Sequence, residues 1–518
     1  MSQLSYGTYD ERHIPERLRR PSDEAGAASG GWKDRPGAEK FYPDIAVPLE
    51  LVGNFDIPAG SNQSIWADIY VPREAEPGTY SGEVTVMEHG QPYRRIPVDL
   101  TVLNFRLPDQ TTSKTMVATS YEEIARRYTG DANFVPGSRQ DALVKKIEDR
   151  QFMLAQRHRI SLVDDNSGPA PWPQNKPRPE WIPRLTGKLF SGENGYAGPG
   201  EGVGCNIFVV GLYGAWQSLW GGTDKATIQV HTAAWEKWFQ GNFPDVDRFI
   251  YLADESSDYK QTNAWAEWVA DTGGAKSLAT FATANLVESM DAMPSVSIVA
   301  SWIGVGDTPV WERAVKTLRE KGRRLFFYNG LRPASGSFAI EDEGVALREL
   351  PWGQFKKQID RWFFWNATYY NNYQGGRGDT GLFVDAQTFG GPPSFNEITG
   401  LTGWNSSNGD GVLFYPGTDA IFPKNSYGLA GPIASLRLKQ WRRGIQDVEY
   451  LALAERADSQ ATRAVVDRMI PKVLWETGVD DPADPTWVRA PISWSTNPDD
   501  WEAARVDLAG IIEKGQSQ

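Results

Sequence analysis

Cysteine is almost missing from this chain. Cys205 is the single one, which excludes an internal disulfide framework and any multi-cysteine metal cluster. Histidine is scarce as well, four residues in all, leaving little material for a zinc site. Basic charge is in deficit, 53 Lys plus Arg against 66 Asp plus Glu, so a nucleic-acid backbone would meet repulsion in place of counterion release. The short basic runs at 17–20 and 321–324 are isolated and read as solvated helix ends or loops. No stretch of about 18 apolar residues occurs, so no helical membrane span is expected. No glycine-rich phosphate loop follows any strand candidate. The acidic pairs Asp480-Asp481 and Asp499-Asp500 lack the spaced ligands of a calcium loop. The sequence thus calls for no cofactor and no metal, and it leaves the oligomeric state open. Residues 1–20 are polar throughout and carry no charged-apolar-small leader. The expectation is a cytoplasmic chain, or a secreted one whose leader the given sequence omits.

What is abundant is aromatic surface. The chain carries 21 Trp, 19 Tyr and 22 Phe in an acidic, glycine-rich background. Pyranose C–H faces stack on indole rings and carboxylates bind sugar hydroxyls, so this composition suits a glycan partner. The competing use of any one ring is core packing.

At 518 residues the chain exceeds one ordinary core, and its patterning changes along its length. Residues 64–71 alternate polar and apolar until Pro72 stops the run. A turn at 76–79, a second run at 80–87, a hairpin loop at 88–91 and a third run at 96–102 complete the pattern of an all-β immunoglobulin-like sandwich. Beyond Leu107-Pro108, helical patterns at 138–157, 225–240, 260–273, 308–321 and 435–456 alternate with short apolar runs. These runs fall at 160–163, 207–210, 248–253, 296–302, 324–328, 361–365 and 411–415. Seven or eight such units fit an α/β fold of the elaborated (β/α)8 TIM-type better than a doubly wound sheet. The resulting division is an N-terminal β-sandwich over 1–112, a (β/α)8-type barrel over 113–456 and a C-terminal helical extension over 457–518 that packs on the barrel. Long Gly- and Pro-rich loops at 166–204 and 374–408 would wall a cleft.

The sharpest local feature is the apolar run 248–253 ending in Asp254 and Glu255. The C-terminal end of a barrel strand is where catalytic groups project. The alternative reading is that Asp254 caps the next helix. Neighbouring acids suit poorly the usual glycosidase pair, whose carboxyls approach the sugar from different sides about 5 Å or more apart. They suit a division in which one protonates the leaving oxygen and the other orients a nucleophile that the substrate supplies. Trp302, Tyr328 with Asn329, and Trp365 with Tyr369 stand at other strand ends and read as substrate-binding, with core packing as the competing use. His158 precedes a strand and is a further substrate-binding candidate, against a structural role. Arg437, Arg443, Asp447 and Glu449 lie at helical spacing and read as a structural clasp, with Arg443 and Asp447 paired four apart.

Six stretches resemble glycoside hydrolase family 123, a β-N-acetylgalactosaminidase-related family. They are Tyr42-Pro43-Asp44 with Val47-Pro48-Leu49; residues 66–72 with 77–82; Leu107-Pro108-Asp109; the Asp254-Glu255 strand; Tyr415-Pro416-Gly417; and Ser435-Leu436-Arg437 through 443–451. The resemblance implies a β-sandwich joined to a barrel, with Glu255 as general acid/base. It implies that Asp254 holds a 2-acetamido group whose carbonyl oxygen attacks the anomeric carbon. The implied reaction is retaining, substrate-assisted hydrolysis of β-linked N-acetylgalactosamine or another 2-acetamido sugar. Burial of Glu255 beside an ionised Asp254 would keep it protonated near neutral pH. The family commonly has Asp-Glu-Pro where this chain has Asp254-Glu255-Ser256, a change in loop geometry. Two other readings remain: a glycosidase of different specificity with a protein nucleophile such as Asp360 or Asp385, and a non-catalytic carbohydrate-binding protein.

Overall fold

Short apolar strands alternating with helices bury both faces only if the strands form one parallel sheet with the helices outside it. A computed structural model of the chain takes this form. It describes residues 2–8, 41–164, 175–271, 277–302, 308–340, 342–370, 381–383, 387–390, 395–396, 401–402, 405–477 and 492–516. Eight parallel strands make the central sheet: β1 (Thr115–Thr119), β2 (Leu162–Asp164), β3 (Ile207–Val210), β4 (Asp247–Ala253), β5 (Ala279–Thr283), β6 (Ile298–Trp302), β7 (Arg324–Tyr328) and β8 (Arg361–Phe364). Their order is β2-β1-β8-β7-β6-β5-β4-β3. The sheet curls until β2 and β3 become neighbours, and Ser161 Oγ hydrogen bonds to Asn206 Oδ1 across that seam at 3.2 Å. The fold is an elaborated, nearly closed (β/α)8 barrel.

Around it lie α1 (Arg139–Arg157), α2 (Lys225–Asn242), α3 (Tyr259–Ala270), α4 (Leu286–Ala292), α5 (Thr308–Glu320), α6 (Ala346–Lys357) and α7 (Leu436–Ala457). The helical C-terminal region adds α8 (Ser459–Met469) and α9 (Pro498–Gln516). Six of these starts are set by side chains that accept an orphan N–H: Ser138, Asp224, Asp258, Asn285, Ser435 and Asp458 cap α1, α2, α3, α4, α7 and α8. No helix among the described residues is long and apolar enough to cross a membrane.

Strand alternation divides the core in two. Met116, Phe249, Tyr251, Phe281, Phe326, Tyr328 and Phe363 point into the barrel, while Val117, Phe208, Ile250, Leu252, Leu325, Phe327 and Phe364 pack beneath the helices. At the N-terminal end an ionic cluster ties five strand starts together. Asp247 accepts from Arg324 Nη1 at 2.8 and 2.9 Å and from Arg361 Nε at 3.2 Å, and Arg361 also reaches the Thr115 carbonyl and Asn206. Burial works against charge on Asp247, but Arg361 and Arg324 outweigh it and hold its pKa low.

N-terminal to the barrel are two antiparallel sheets. Strand Ser2–Thr8 pairs with Phe41–Pro48 and with Ile65–Trp66. Gly78–Glu88 pairs with Gln91–Val102 through His89-Gly90, whose φ values of 48° and 77° suit a two-residue hairpin. The alternating run 64–71 yields only the short strand Ile65–Trp66, because Asp68 is drawn to Lys439 and Arg442 on α7. The candidate strand at 411–415 lies outside the barrel sheet, where Phe414–Pro416 pairs antiparallel with Pro432–Ala434. The spacing-based pair of Arg443 with Asp447 is also replaced. Asp447 accepts from Arg348 Nε at 2.6 Å and Arg505 Nε at 2.7 Å, while Arg443 pairs with Glu502. Those bonds bind α6, α7 and α9 together.

Arg437 joins the N-terminal strand to the barrel. Its Nε and Nη2 donate to Asp44 at 3.0 and 2.9 Å, and the remaining protons go to the carbonyls of Phe338, Gly409 and Val412. Tyr415 donates its hydroxyl to the same carboxylate. Asp44 is buried and so is Arg437. Replacing Asp44 with Ala strands a buried guanidinium, a change that typically costs about 3–5 kcal/mol. Thermal and urea unfolding of Asp44→Ala should give a clearly lowered midpoint; an unchanged midpoint would contradict this account of the junction.

Candidate active site

The end of β4 does not continue the strand's alternation. In the ladder with β5, Phe281 pairs with Tyr251 but Ala282 pairs with Ala253, so Leu252 is an extra residue, a β-bulge. In an unbroken strand Asp254 would follow Leu252 to the outer face. After the bulge it meets the inward-facing side chains instead: Asp254 Oδ1 accepts from Tyr251 Oη at 2.6 Å and from Thr283 Oγ1 at 2.7 Å. Burial, reinforced by Asp254, pushes the Tyr251 pKa well up, so the phenol remains a donor. These two donors occupy Oδ1 and leave Oδ2 as the other acceptor of the carboxylate. Asp258, not Asp254, caps the following helix, accepting from Gln261 N at 2.9 Å.

Glu255 has φ of 44°, a left-handed conformation that ends the strand abruptly. Its N–H donates to Thr283 Oγ1 at 2.7 Å, so one threonine fixes both acids. Its side chain runs to the far side of the mouth, where Tyr328 Oη donates to Glu255 Oε1 at 2.5 Å. The Tyr328 ring stands edge-on to Trp302 with centroids 6.3 Å apart, and Trp302 keeps 37% of its surface exposed. Asn329, at φ 59°, donates its N–H to the Phe363 carbonyl and accepts from Trp362 Nε1, so its backbone links β7 to β8.

The β8 end supplies a second aromatic wall. Trp365 Nε1 donates to Asp410 Oδ1 at 2.8 Å, and its ring packs on Tyr369 with centroids 4.9 Å apart. Gly411 (φ 77°) permits this approach: a β-carbon there would come within 2.6 Å of the indole. Tyr213, in the turn after β3, donates its hydroxyl to the Trp365 carbonyl and packs on Tyr251 at 5.5 Å.

Asp254, Glu255, Trp302, Tyr328, Asn329, Trp365 and Tyr369 therefore lie at the C-terminal ends of β4, β6, β7 and β8. His158 does not join them. It caps the C-terminus of α1 before β2, on the opposite face, buried with Nδ1 on the Leu154 carbonyl at 2.8 Å. Burial and the nearby cations Arg442 and Lys439 push its pKa well down. Asp360 is likewise on that opposite face, accepting the Leu325 N–H at 2.9 Å where β7 begins, and Asp385 lies outside the described residues. The expectation of a buried Glu255 is not met, since both acids are exposed. Tyr251, Thr283, Tyr213 and Asp410 escaped sequence reasoning. Tyr251 meets Asp254 only through the bulge, which strand alternation does not signal, while Tyr213 could have been found from the rule that singled out Trp302, an aromatic at a strand's C-terminal end. Among the described residues no group of three or more His, Cys, Asp and Glu side chains converges as a metal site would.

Comparison with known proteins fits this picture. Residues 22–88 match the model of the glycoside hydrolase 123 N-terminal domain. The fold is similar to that of a family 123 glycoside hydrolase from Clostridium perfringens, described for glycolipid glycan hydrolysis. That match has 14% identity and a TM-score of 0.55, covering 100% of this chain and 86% of the other. A glycosyl hydrolase family 2 member from Bacteroides cellulosilyticus is 8% identical over 56% of this chain and 34% of its own, with a TM-score of 0.27. Bacteroides uniformis beta-glucuronidase 3 is 10% identical over 60% and 41%, with a TM-score of 0.26. These two likenesses are too slight to argue from. No curated protein matches the sequence.

The loop between β7 and α6 borders the site and is pinned by a buried acid. Glu349 Oε2 accepts the Gly336 N–H at 2.9 Å, while Oε1 has no hydrogen-bond partner. Burial pushes its pKa up to about 8. The folded state thus holds a proton that the unfolded chain, at an ordinary 4.5, releases. Its contribution to stability is complete below the unfolded value and is lost as pH rises toward about 8. Glu349→Gln should flatten this fall, so that the variant's melting temperature gains on wild type steadily from pH 5 to pH 8 (about the span of the two values). Parallel curves for the two proteins would show that Glu349 ionises without cost.

Proposed function

We propose that this chain, which resembles glycoside hydrolase family 123 in the sequence of residues 22–88 and in fold, is a retaining, substrate-assisted hydrolase. Its substrate on this reading is a glycan bearing β-linked N-acetylgalactosamine or another 2-acetamido sugar. The family match and the fold support hydrolase activity at the coarser level. The observation that carries the finer reading is the unequal tethering of two adjacent acids. Asp254 has one oxygen saturated by Tyr251 and Thr283, and Glu255 is held by Tyr328 of a more distant strand, β7.

In the first step Glu255 gives its proton to the glycosidic oxygen as the bond from that oxygen to the anomeric carbon breaks. The acetamido carbonyl oxygen forms the new bond to the same carbon. Asp254, through Oδ2, accepts the amide N–H and faces the positive charge that grows on the acetamido group, an electrostatic role that needs an ionised carboxylate fixed in advance. In the second step Glu255 takes a proton from water, which attacks the anomeric carbon and reopens the ring of the intermediate. Two inversions at one carbon give net retention. Trp302, Tyr328, Asn329, Trp365 and Tyr369 surround the mouth as the sugar-binding wall, with Trp302, Trp365 and Tyr369 offering stacking faces. The Clostridium enzyme is described for glycolipid glycan hydrolysis, and this reading extends that substrate class to the present chain.

Chromogenic β-N-acetylgalactosaminides and matching sugars without the acetamido group test the reading. Wild type should cleave only the acetamido sugars. Glu255→Gln and Asp254→Asn should each lose about 100-fold or more in kcat, the usual worth of a general acid or a charge stabiliser. Cleavage of plain galactosides with Asp254→Asn unimpaired would sink the substrate-assisted mechanism.

A further inference from the structure

Tyr328 stands at a strand end with a half-open mouth in front of it, and by position alone it belongs to the sugar-binding wall. Its hydroxyl, however, is committed elsewhere. The ring is buried to 5% of its surface between Phe363, at 6.0 Å, and Trp302, and the phenol proton goes to Glu255 Oε1. Burial, and the carboxylates Glu255 and Asp254 after it, push the Tyr328 pKa well up, so the phenol keeps its proton to donate. The backbone from which Glu255 reaches this contact is fixed by its left-handed turn and by the bond of its N–H to Thr283.

We propose that Tyr328 is a positioning residue for Glu255, fixing Oε1 as the hydrogen-bond acceptor and leaving Oε2 as the oxygen that carries and transfers the proton. The inference rests on the hydrolase reading for the transfer itself, but not for the pairing. A carboxylic acid that accepts a phenol proton at one oxygen holds its own proton on the other. In the forward step that proton leaves Oε2 for the glycosidic oxygen, whose bonding pair comes from the breaking bond to the anomeric carbon; in the return step water's proton arrives at Oε2. The phenol proton stays on Tyr328 throughout. Among the described residues, Tyr328 on β7 is the titratable group bonded to the Glu255 carboxylate, and the titratable groups acting on Tyr328 are Glu255, Asp254 and Tyr213.

Two readouts on the full chain test this. Carbodiimide coupling of a small amine to Glu255, followed by peptide mass spectrometry across pH, reads protonation without any substrate; the exposed acid is reachable. In Tyr328→Phe the pH midpoint of Glu255 labelling should rise by roughly one unit, as expected for losing a hydrogen bond to a charged group. The basic limb of the kcat/KM profile should rise with it, and kcat should fall about tenfold with a smaller change in KM. Should the phenylalanine variant misfold, 3-fluorotyrosine at position 328 gives the opposite sign, since the stronger donor lowers the midpoint. A midpoint unmoved by either change overturns the proposal. A shifted midpoint in a protein that cleaves no acetamido sugar leaves the pairing standing and removes the hydrolase reading instead.

Discussion

A guanidinium without water must be surrounded by acceptors, and Arg437 gathers its own from three separate stretches of chain. Asp44 comes from the N-terminal strand, the Phe338 carbonyl from the loop after β7, and the Gly409 and Val412 carbonyls from the segment that backs the β8 wall. Removing any one acceptor leaves a buried donor unpaired, so each stretch is held where the charge requires it. Between Gly409 and Val412 lie Asp410 and Gly411, the residues that fix Trp365. Through them a bond far from the acids determines where an aromatic face stands at the mouth. Three of the six stretches that carry the family resemblance, around Asp44, Tyr415 and Arg437, meet in this one cluster. Their agreement with the family follows from packing and charge pairing more directly than from chemistry.

The site itself departs from regular structure in two places, both on β4. The bulge at Leu252 turns Asp254 toward the barrel interior, and the left-handed Glu255 sends the next side chain across the mouth. Such departures need support from surrounding contacts, and here Thr283 provides it by donating to Asp254 while accepting from Glu255 N. A β5 strand one residue out of register would break both bonds. The register of a neighbouring strand is therefore part of the chemistry.

Much of the architecture was legible because period and punctuation agreed. Helices with a clear apolar face and a capping Ser or Asp, such as α1 and α2, fall within a few residues of their sequence limits. Strands made of large apolar residues, such as β3 and β7, do the same. What escaped was β1 and β5, whose Thr and Ala side chains give weak apolar signal, the short α4, and α6, which carries Pro351 and Gly353, both buried against neighbouring elements. In the site, Asp254 and Glu255 stood out as acids ending an apolar run. Their partners did not: Thr283 sits on a strand too plain to be read, and Asp410 on a loop far along the chain. Side chains that act through position leave less trace in sequence than side chains that act through charge.

The exposure of both acids changes which force must govern them. A carboxyl sunk in an apolar pocket is controlled by desolvation, a non-directional effect that would act alike on two neighbours. At an open mouth water screens that effect, and directional hydrogen bonds become the means of telling the two apart. Asp254 takes its donors from β4 and β5, and the Glu255 carboxylate takes its donor from β7. Adjacent in sequence, the two side chains are thereby turned to different strands and offered different partners. Each acid is left with a single open oxygen, and this is the arrangement that lets neighbouring residues take the unlike roles proposed for them.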